Sequence, residues 1–161
     1  MQSFACPENG WIDGVPLAVG VGPGQFAWMA TDLADLRRPA DLRGTDTLIP
    51  GVPGVIVNPR RPTVSTRLVT MIFAGDCDSD GAPGLPADQQ VWVNLALFQS
   101  LVIEPPGGDP RRTVAVTHGA LQWTGHLVVE SFDIRERGPA EIVGVLEVSL
   151  PMGQLEMEVV P

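Results

Sequence analysis

The residues with the clearest spacing for chemistry are Asp76-Cys77-Asp78-Ser79-Asp80-Gly81. Carboxylates at the first, third and fifth positions, with glycine at the sixth for the sharp turn, are the opening of a calcium-binding loop. The rest of that loop is missing. A bidentate glutamate belongs at the twelfth position, where this chain has Ala87, and Pro83 and Pro86 interrupt the ligand stretch in between. The segment before the run has the pattern of a strand, whereas such loops follow a helix. Aspartate and glycine are also what a polar turn between a strand and a helix uses. The run is therefore expected to be a turn on the approach to a helix, and no metal ion or other cofactor is expected.

Other chemistry is sparse. His118 and His126 are the two histidines, in Thr-His-Gly and Gly-His-Leu contexts, with neither Gly-x-Ser-x-Gly nor His-Glu-x-x-His around them. Both are expected to be structural. Gly20-Val21-Gly22-Pro23-Gly24 lacks the spacing of a dinucleotide fingerprint, and no helix pattern follows it. Cys6 and Cys77, far apart and outside any metal-ligand spacing, read as free thiols. Trp11, Trp28, Trp92 and Trp123 suggest a sugar-stacking platform. Three of them lie in strand or strand-edge patterns and one in a helix, with no polar aromatic cluster beside them, so core packing is the expected role. No catalytic, cofactor-binding or metal-ligating residue is assigned, and the chain is not expected to be an enzyme.

The elements that carry these residues must come from one domain, 1–161, since 161 residues suffice for one core without a metal or disulfide staple. The net charge is −9. A duplex-binding protein needs a clustered cationic surface to neutralise phosphates, so nucleic acid is not an expected partner. The pairs Arg37-Arg38, Arg60-Arg61 and Arg111-Arg112 read either as solvated loop charges or as contacts for acidic protein surfaces. No apolar run approaches the ~20 residues of a membrane span, and the first residues lack a signal-peptide pattern, so the chain is expected in the cytoplasm when made.

Prolines and glycines are concentrated between the apolar segments, which gives many short elements joined by turns and predicts a mainly β (α+β) domain. Alternation predicts strands at Val64 to Phe73, at Ile142 to Leu150 and at Leu155 to Val159. Less regular patterns run from Phe26 to Thr31, Thr113 to Thr117 and Leu121 to Ile134, the last interrupted by Gly125, where a bulge is expected. From Asp88 to Val102 the period changes. Val91, Leu95, Phe98 and Val102 share one helical face, with Gln90, Asn94 and Gln99 elsewhere, so one amphipathic helix is expected, ended by Glu104-Pro105-Pro106-Gly107-Gly108.

Between Leu33 and Pro62 the prolines and glycines leave little room for a helix or a central strand, yet Leu33, Leu36, Leu42, Leu48, Ile49 and Val55 to Val57 are too apolar for disorder. This stretch is expected to be an extended arm that packs against a neighbouring subunit, with Arg37, Arg38, Arg43, Arg60 and Arg61 pairing with its acidic surface.

The order of these segments resembles a known family. Trp28 and Leu33-Ala34-Asp35-Leu36 are followed by Arg37-Arg38-Pro39, Arg43-Gly44-Thr45-Asp46 and Ile49-Pro50-Gly51-Val52-Pro53-Gly54. Then come the strand from Val64 to Ala74, Gly75 with the Asp-rich turn, and the helix from Asp88; Leu121 to Gly125, Phe132 to Arg135 and Val145 to Pro151 follow. This is similar to the distal tail proteins, often labelled minor tail proteins, of siphophages that infect actinobacteria, over roughly Trp11 to Leu155. The resemblance implies a tail-tube-like β-sandwich with one flanking helix, and a structural subunit that forms a hexameric ring at the distal end of the tail. Its implied partners are the tail-tube protein and a baseplate hub or tail-associated protein, and its implied place is the virion, assembled in the host cytoplasm. A tail-tube or tail-terminator subunit would share that sandwich. In a different class, a calcium-dependent carbohydrate-binding β-sandwich module also fits the acidic run and the tryptophans.

Overall fold

The computed structural model describes residues 1–6, 8–40, 42–43, 47–48, 50–51, 53, 55–56, 61–104, 107 and 109–161. In chain order the elements are β1 (Glu8–Ile12), β2 (Val15–Pro16), β3 (Ala18–Gly22), β4 (Gln25–Asp32), a four-residue helix α1 (Ala34–Arg37), β5 (Leu42–Arg43), β6 (Thr47–Leu48), β7 (Val55–Ile56), β8 (Arg61–Pro62) and β9 (Ser65–Ala74). The helix α2 (Ala87–Phe98) follows and runs on through a π-helical turn (Gln99–Ile103), then β10 (Arg111–His118), β11 (Leu121–Arg137), β12 (Glu141–Leu150) and β13 (Glu156–Val159).

Nine of these strands form one antiparallel sheet in the order β2-β1-β10-β11-β12-β9-β4-β3, with β13 added beside β11. The two ends of that order are joined by one residue. Leu17, between β2 and β3, donates its amide to Gly10 O at 2.8 Å and accepts from Ala30 N at 2.7 Å, so it bonds β1 on one side and β4 on the other. The expected sandwich is thus a single sheet rolled nearly closed. The turn that starts it is Asp13-Gly14, both with positive φ (49° and 77°), the two-residue hairpin geometry that matches the twist of the flanking strands.

The strands from Phe26, Val64, Thr113 and Ile142 stand where their alternation predicts. On β9, Val69, Met71 and Phe73 face inward; on β12, Ile142, Leu146, Val148 and Leu150 do. β11 is longer than expected and changes parity. Trp123 and Leu127 face inward near its start, Phe132 and Ile134 near its end, because the register against β12 shifts between Val129 and Ser131. Gly125 is not the bulge: its pairing with Val114 is regular, and a Cβ there would come within 3.0 Å of Leu155 Cδ2, so the missing side chain makes room for that buried leucine.

Val91, Leu95, Phe98 and Val102 are buried as the period requires. Phe98 lies edge-on to Trp28 at 5.8 Å and to Phe73 at 5.1 Å, and tilted against Phe132 at 6.2 Å, so the helix is locked to β4, β9 and β11 by aromatic contacts. Gln90 and Asn94, expected off this face, are buried as well. The end of the helical segment is held by Arg112, which is buried instead of being a solvated loop charge. It donates to the carbonyls of Leu101, at 2.7 Å, and Val102, and to the Asp13 carboxylate. A cation there satisfies carbonyls that a helix end leaves open.

The first part of the expected arm belongs to the core instead. Leu33 and Leu36 are buried, and the Arg67 guanidinium, itself buried, donates to Arg38 O, Pro39 O and Gly153 O at 3.0–3.1 Å. Beyond that root the segment folds back on itself: β5 pairs with β8 and β6 with β7, antiparallel, with Pro50, Gly51 and Pro53 exposed between the inner pair. Two-residue ladders are what proline- and glycine-rich chain can form, since each proline removes a ladder donor. Ile49, Val57 and Arg60, expected to make contacts from this arm, lie outside the described residues.

Candidate functional site

The acidic run is a turn leading from β9 toward α2. Asp78 Oδ1 accepts from Asp80 N and Ala82 N, both at 2.9 Å, and Asp78 N donates to Ala82 O. Its carboxylate is therefore directed at its own backbone. Asn94 anchors the turn from below by donating to Ala74 O at 2.8 Å and Cys77 O at 2.9 Å, and Gln90 donates to Asn94 and accepts from Leu85 N. The Cys77 thiol is buried and pushed up, chiefly by that burial, with the Asp76 and Asp78 charges adding to it against a backbone bond at Val21. Among the described residues, no three His, Cys, Asp or Glu side chains converge as a metal cluster would.

A calcium site in this turn would stabilise the fold by RT ln(1 + [L]/Kd), about 1–4 kcal/mol at millimolar calcium for dissociation constants of about 10⁻⁴–10⁻⁶ M. With Asp78 bonded to its own backbone, neither calcium nor a chelator is expected to move the melting temperature. An upward shift of several degrees with calcium would show a metal site instead.

The other residues singled out by type do not come together. His126 stands opposite Thr113 on β10, five residues from His118, about 17 Å at the rise of a strand. His118 Nδ1 lies 3.5 Å from Glu8 Oε1, which also receives Arg37. Of the tryptophans, Trp28 and Trp123 are in the core, Trp11 is half-buried on the outer face of β1, and Trp92 is exposed on α2 under the Arg137 guanidinium at 5.7 Å. Trp11 and Trp92 therefore both depart from the expected core role, Trp11 because its place in β1 has the parity of the outer face and Trp92 because its place in the helix points away from the sheet.

A different surface stands out. In β13, Met157 pairs with Trp123 and Val159 with Leu121, so both methionine and valine have the parity of the core. They are nevertheless 58% and 71% exposed. The helix packs mainly against β4, β9 and β12, and this corner of the inward face is left exposed. Met152, in the turn before β13, is exposed too. Beside this strip, Arg37 lies over the Trp123 ring at 5.3 Å and pairs with Glu8, while Arg38 pairs with Asp35 at 3.2 Å. Both arginines, expected to reach a neighbouring subunit, are thus engaged within their own chain. The alternation of β13 was legible in the sequence, but its lack of cover was not, because cover depends on where the helix ends.

No family model matches the chain, and no curated protein does. Among solved structures it is similar to the SPP1 Dit protein, described as a paradigm of the hub adsorption apparatus in Gram-positive infecting phages. The TM-score is 0.47 at 11% identity, over 91% of this chain and 50% of that one. The chain spans half the length of that structure.

Proposed function

We propose that the chain is a structural subunit of a phage tail, assembled as a hexameric ring at the distal end of the tail tube, where it joins the tube to the baseplate or host-recognition apparatus. It acts by self-association, not by catalysis. The observation that carries this reading is the uncovered core-parity strip of Met157 and Val159, since a monomer gains by burying such a face and a closed ring of head-to-tail contacts buries it in every copy. The paired arm from Leu42 to Pro62, with Leu42 itself exposed, offers a second extended contact surface. The order of segments from Trp28 to Pro151 supports the tail assignment through its resemblance to distal tail proteins.

Mass photometry and negative-stain images of the purified protein are expected to show closed rings of six, and the protein is expected in purified virions. A monomer at tens of micromolar, together with absence from virions, would refute the proposal. Long tubes in place of rings would make it a tube subunit.

A further inference from the structure

Across the outer face of β1, β10, β11 and β13, Trp11, Ala115, Thr124 and Glu156 stand in register on successive strands, so their side chains share one side of the sheet. Small residues in the middle and larger ones at the ends make this face concave. Met152 and Gln154, from the turn before β13, help to wall it into an open groove of about 630 Å³, with His126 also on its lining. The opposite face of β10, Val114 and Val116, is core, so the groove has a rigid floor.

We propose that this groove binds a neutral oligosaccharide, with a pyranose ring stacked on Trp11 and its hydroxyls bonded by Thr124, His126, Gln154 and Glu156. Trp11 lies opposite Pro16 on one side and Ala115 on the other, so its half-buried ring is held in place before any ligand arrives. Gln154 is held in place as well: its amide oxygen accepts from Ala40 N at 3.0 Å. Other occupants fit worse. A lipid chain would desolvate the hydroxyl, imidazole, amide and carboxylate groups without replacing their hydrogen bonds. An added peptide strand needs a free sheet edge, and this groove lies on a sheet face. An acidic glycan would meet Glu156 and Glu158, both on the outer face of β13, in a chain of net charge −9. A neutral sugar offers the ring faces and hydroxyls that the groove can match. The site needs no calcium and does not depend on ring assembly.

Calorimetric titration and tryptophan fluorescence of the full chain test this with neutral tetrasaccharides built of glucose, xylose, mannose or N-acetylglucosamine, and with a galacturonic acid tetramer. At least one neutral sugar is expected to bind and the acidic one not to. Trp11→Ala should weaken binding about tenfold or more, with the fold checked by circular dichroism. Thr124→Tyr, which fills the groove on a strand that tolerates tyrosine, should abolish binding and provides the test if Trp11→Ala does not fold. No binding of any neutral sugar at millimolar concentration would overturn the proposal, as would affinity left unchanged by the groove-filling variant.

Discussion

Replacing Arg112 with methionine is expected to destabilise the domain by about 2–4 kcal/mol, chiefly because two helix-end carbonyls lose their charged donor, while the Asp13 carboxylate, 38% exposed, keeps access to water. The side chain is 4% exposed and bonds three groups in two elements: the Asp13 carboxylate in the β1–β2 turn, and the carbonyls of Leu101 and Val102 at the end of the helical segment. Methionine fills the space but leaves two helix-end carbonyls without their donor. Lysine should recover little, because a single ammonium cannot reproduce a fork that reaches a carboxylate and two carbonyls. For a chain of this size the loss corresponds to a melting temperature lower by about 10 °C. Urea unfolding of the variant reads it directly, and a change below about 1 kcal/mol would show that the pair is close to neutral in net effect. The same pair sets an acid limb. Burial pushes Asp13 up, but the bonds from Arg112 and from the Thr113 amide and hydroxyl outweigh it and hold the carboxyl below its ordinary range. A carboxylate depressed in the folded state contributes stability above its unfolded pKa, and that contribution is lost as pH falls through the folded value. The stability gap between the wild type and Asp13→Asn should therefore be full at neutral pH and should close as pH drops below about 4.

What the sequence could convey depended on whether a residue's role was set by its neighbours in the chain. β9, β12 and α2 carry long regular patterns, so Val69, Phe73, Leu146 and Phe98 fall on the buried face that their spacing gives. β1 to β3 carry no such pattern, because closure of the sheet rests on main-chain bonds at Leu17 and on a turn at Asp13-Gly14. That turn did have a signal: Asp-Gly between Trp11-Ile12 and Val15-Pro16 is a hairpin dipeptide between apolar pairs. Arg112 belongs to a pair whose sequence reads as surface charge, and the burial of Arg112 and Arg67 follows from carbonyls contributed by residues 10 to 86 positions away. Gln90 and Asn94 misled for a related reason. A polar residue on a helix is expected to face water unless a partner waits for it, and their partners, Cys77 O and Leu85 N, belong to the acidic turn whose spacing resembles a calcium loop. Its aspartates were the visible feature, while the amides that hold it were not.

Excising residues 42–61 and closing the gap with a short Gly-Ser turn is expected to leave a folded domain that forms no rings. The cut spares what the core uses: Leu33 and Leu36 stay, as do the carbonyls of Arg38 and Pro39 that receive Arg67, and Ala40 N, which donates to Gln154. The hairpin strands removed pair with each other, β5 with β8 and β6 with β7, so no rung of the nine-stranded sheet is lost. Shortening a loop changes its closure entropy by well under about 2 kcal/mol, so melting should remain cooperative and close to that of the intact chain. Assembly should respond differently. The excised stretch carries Arg43, Arg60 and Arg61 against Asp46 alone, in a chain whose net charge is −9, so its loss removes the basic partner for the acidic surface of an adjacent copy. Proline restricts its backbone before docking, which lowers the entropy lost on association. Mass photometry of the shortened chain decides between the arm and β13 as the ring contact. Rings that persist unchanged would leave the β13 strip as the contact and free the arm of that role, and a chain that no longer folds would place the arm in the domain's own core.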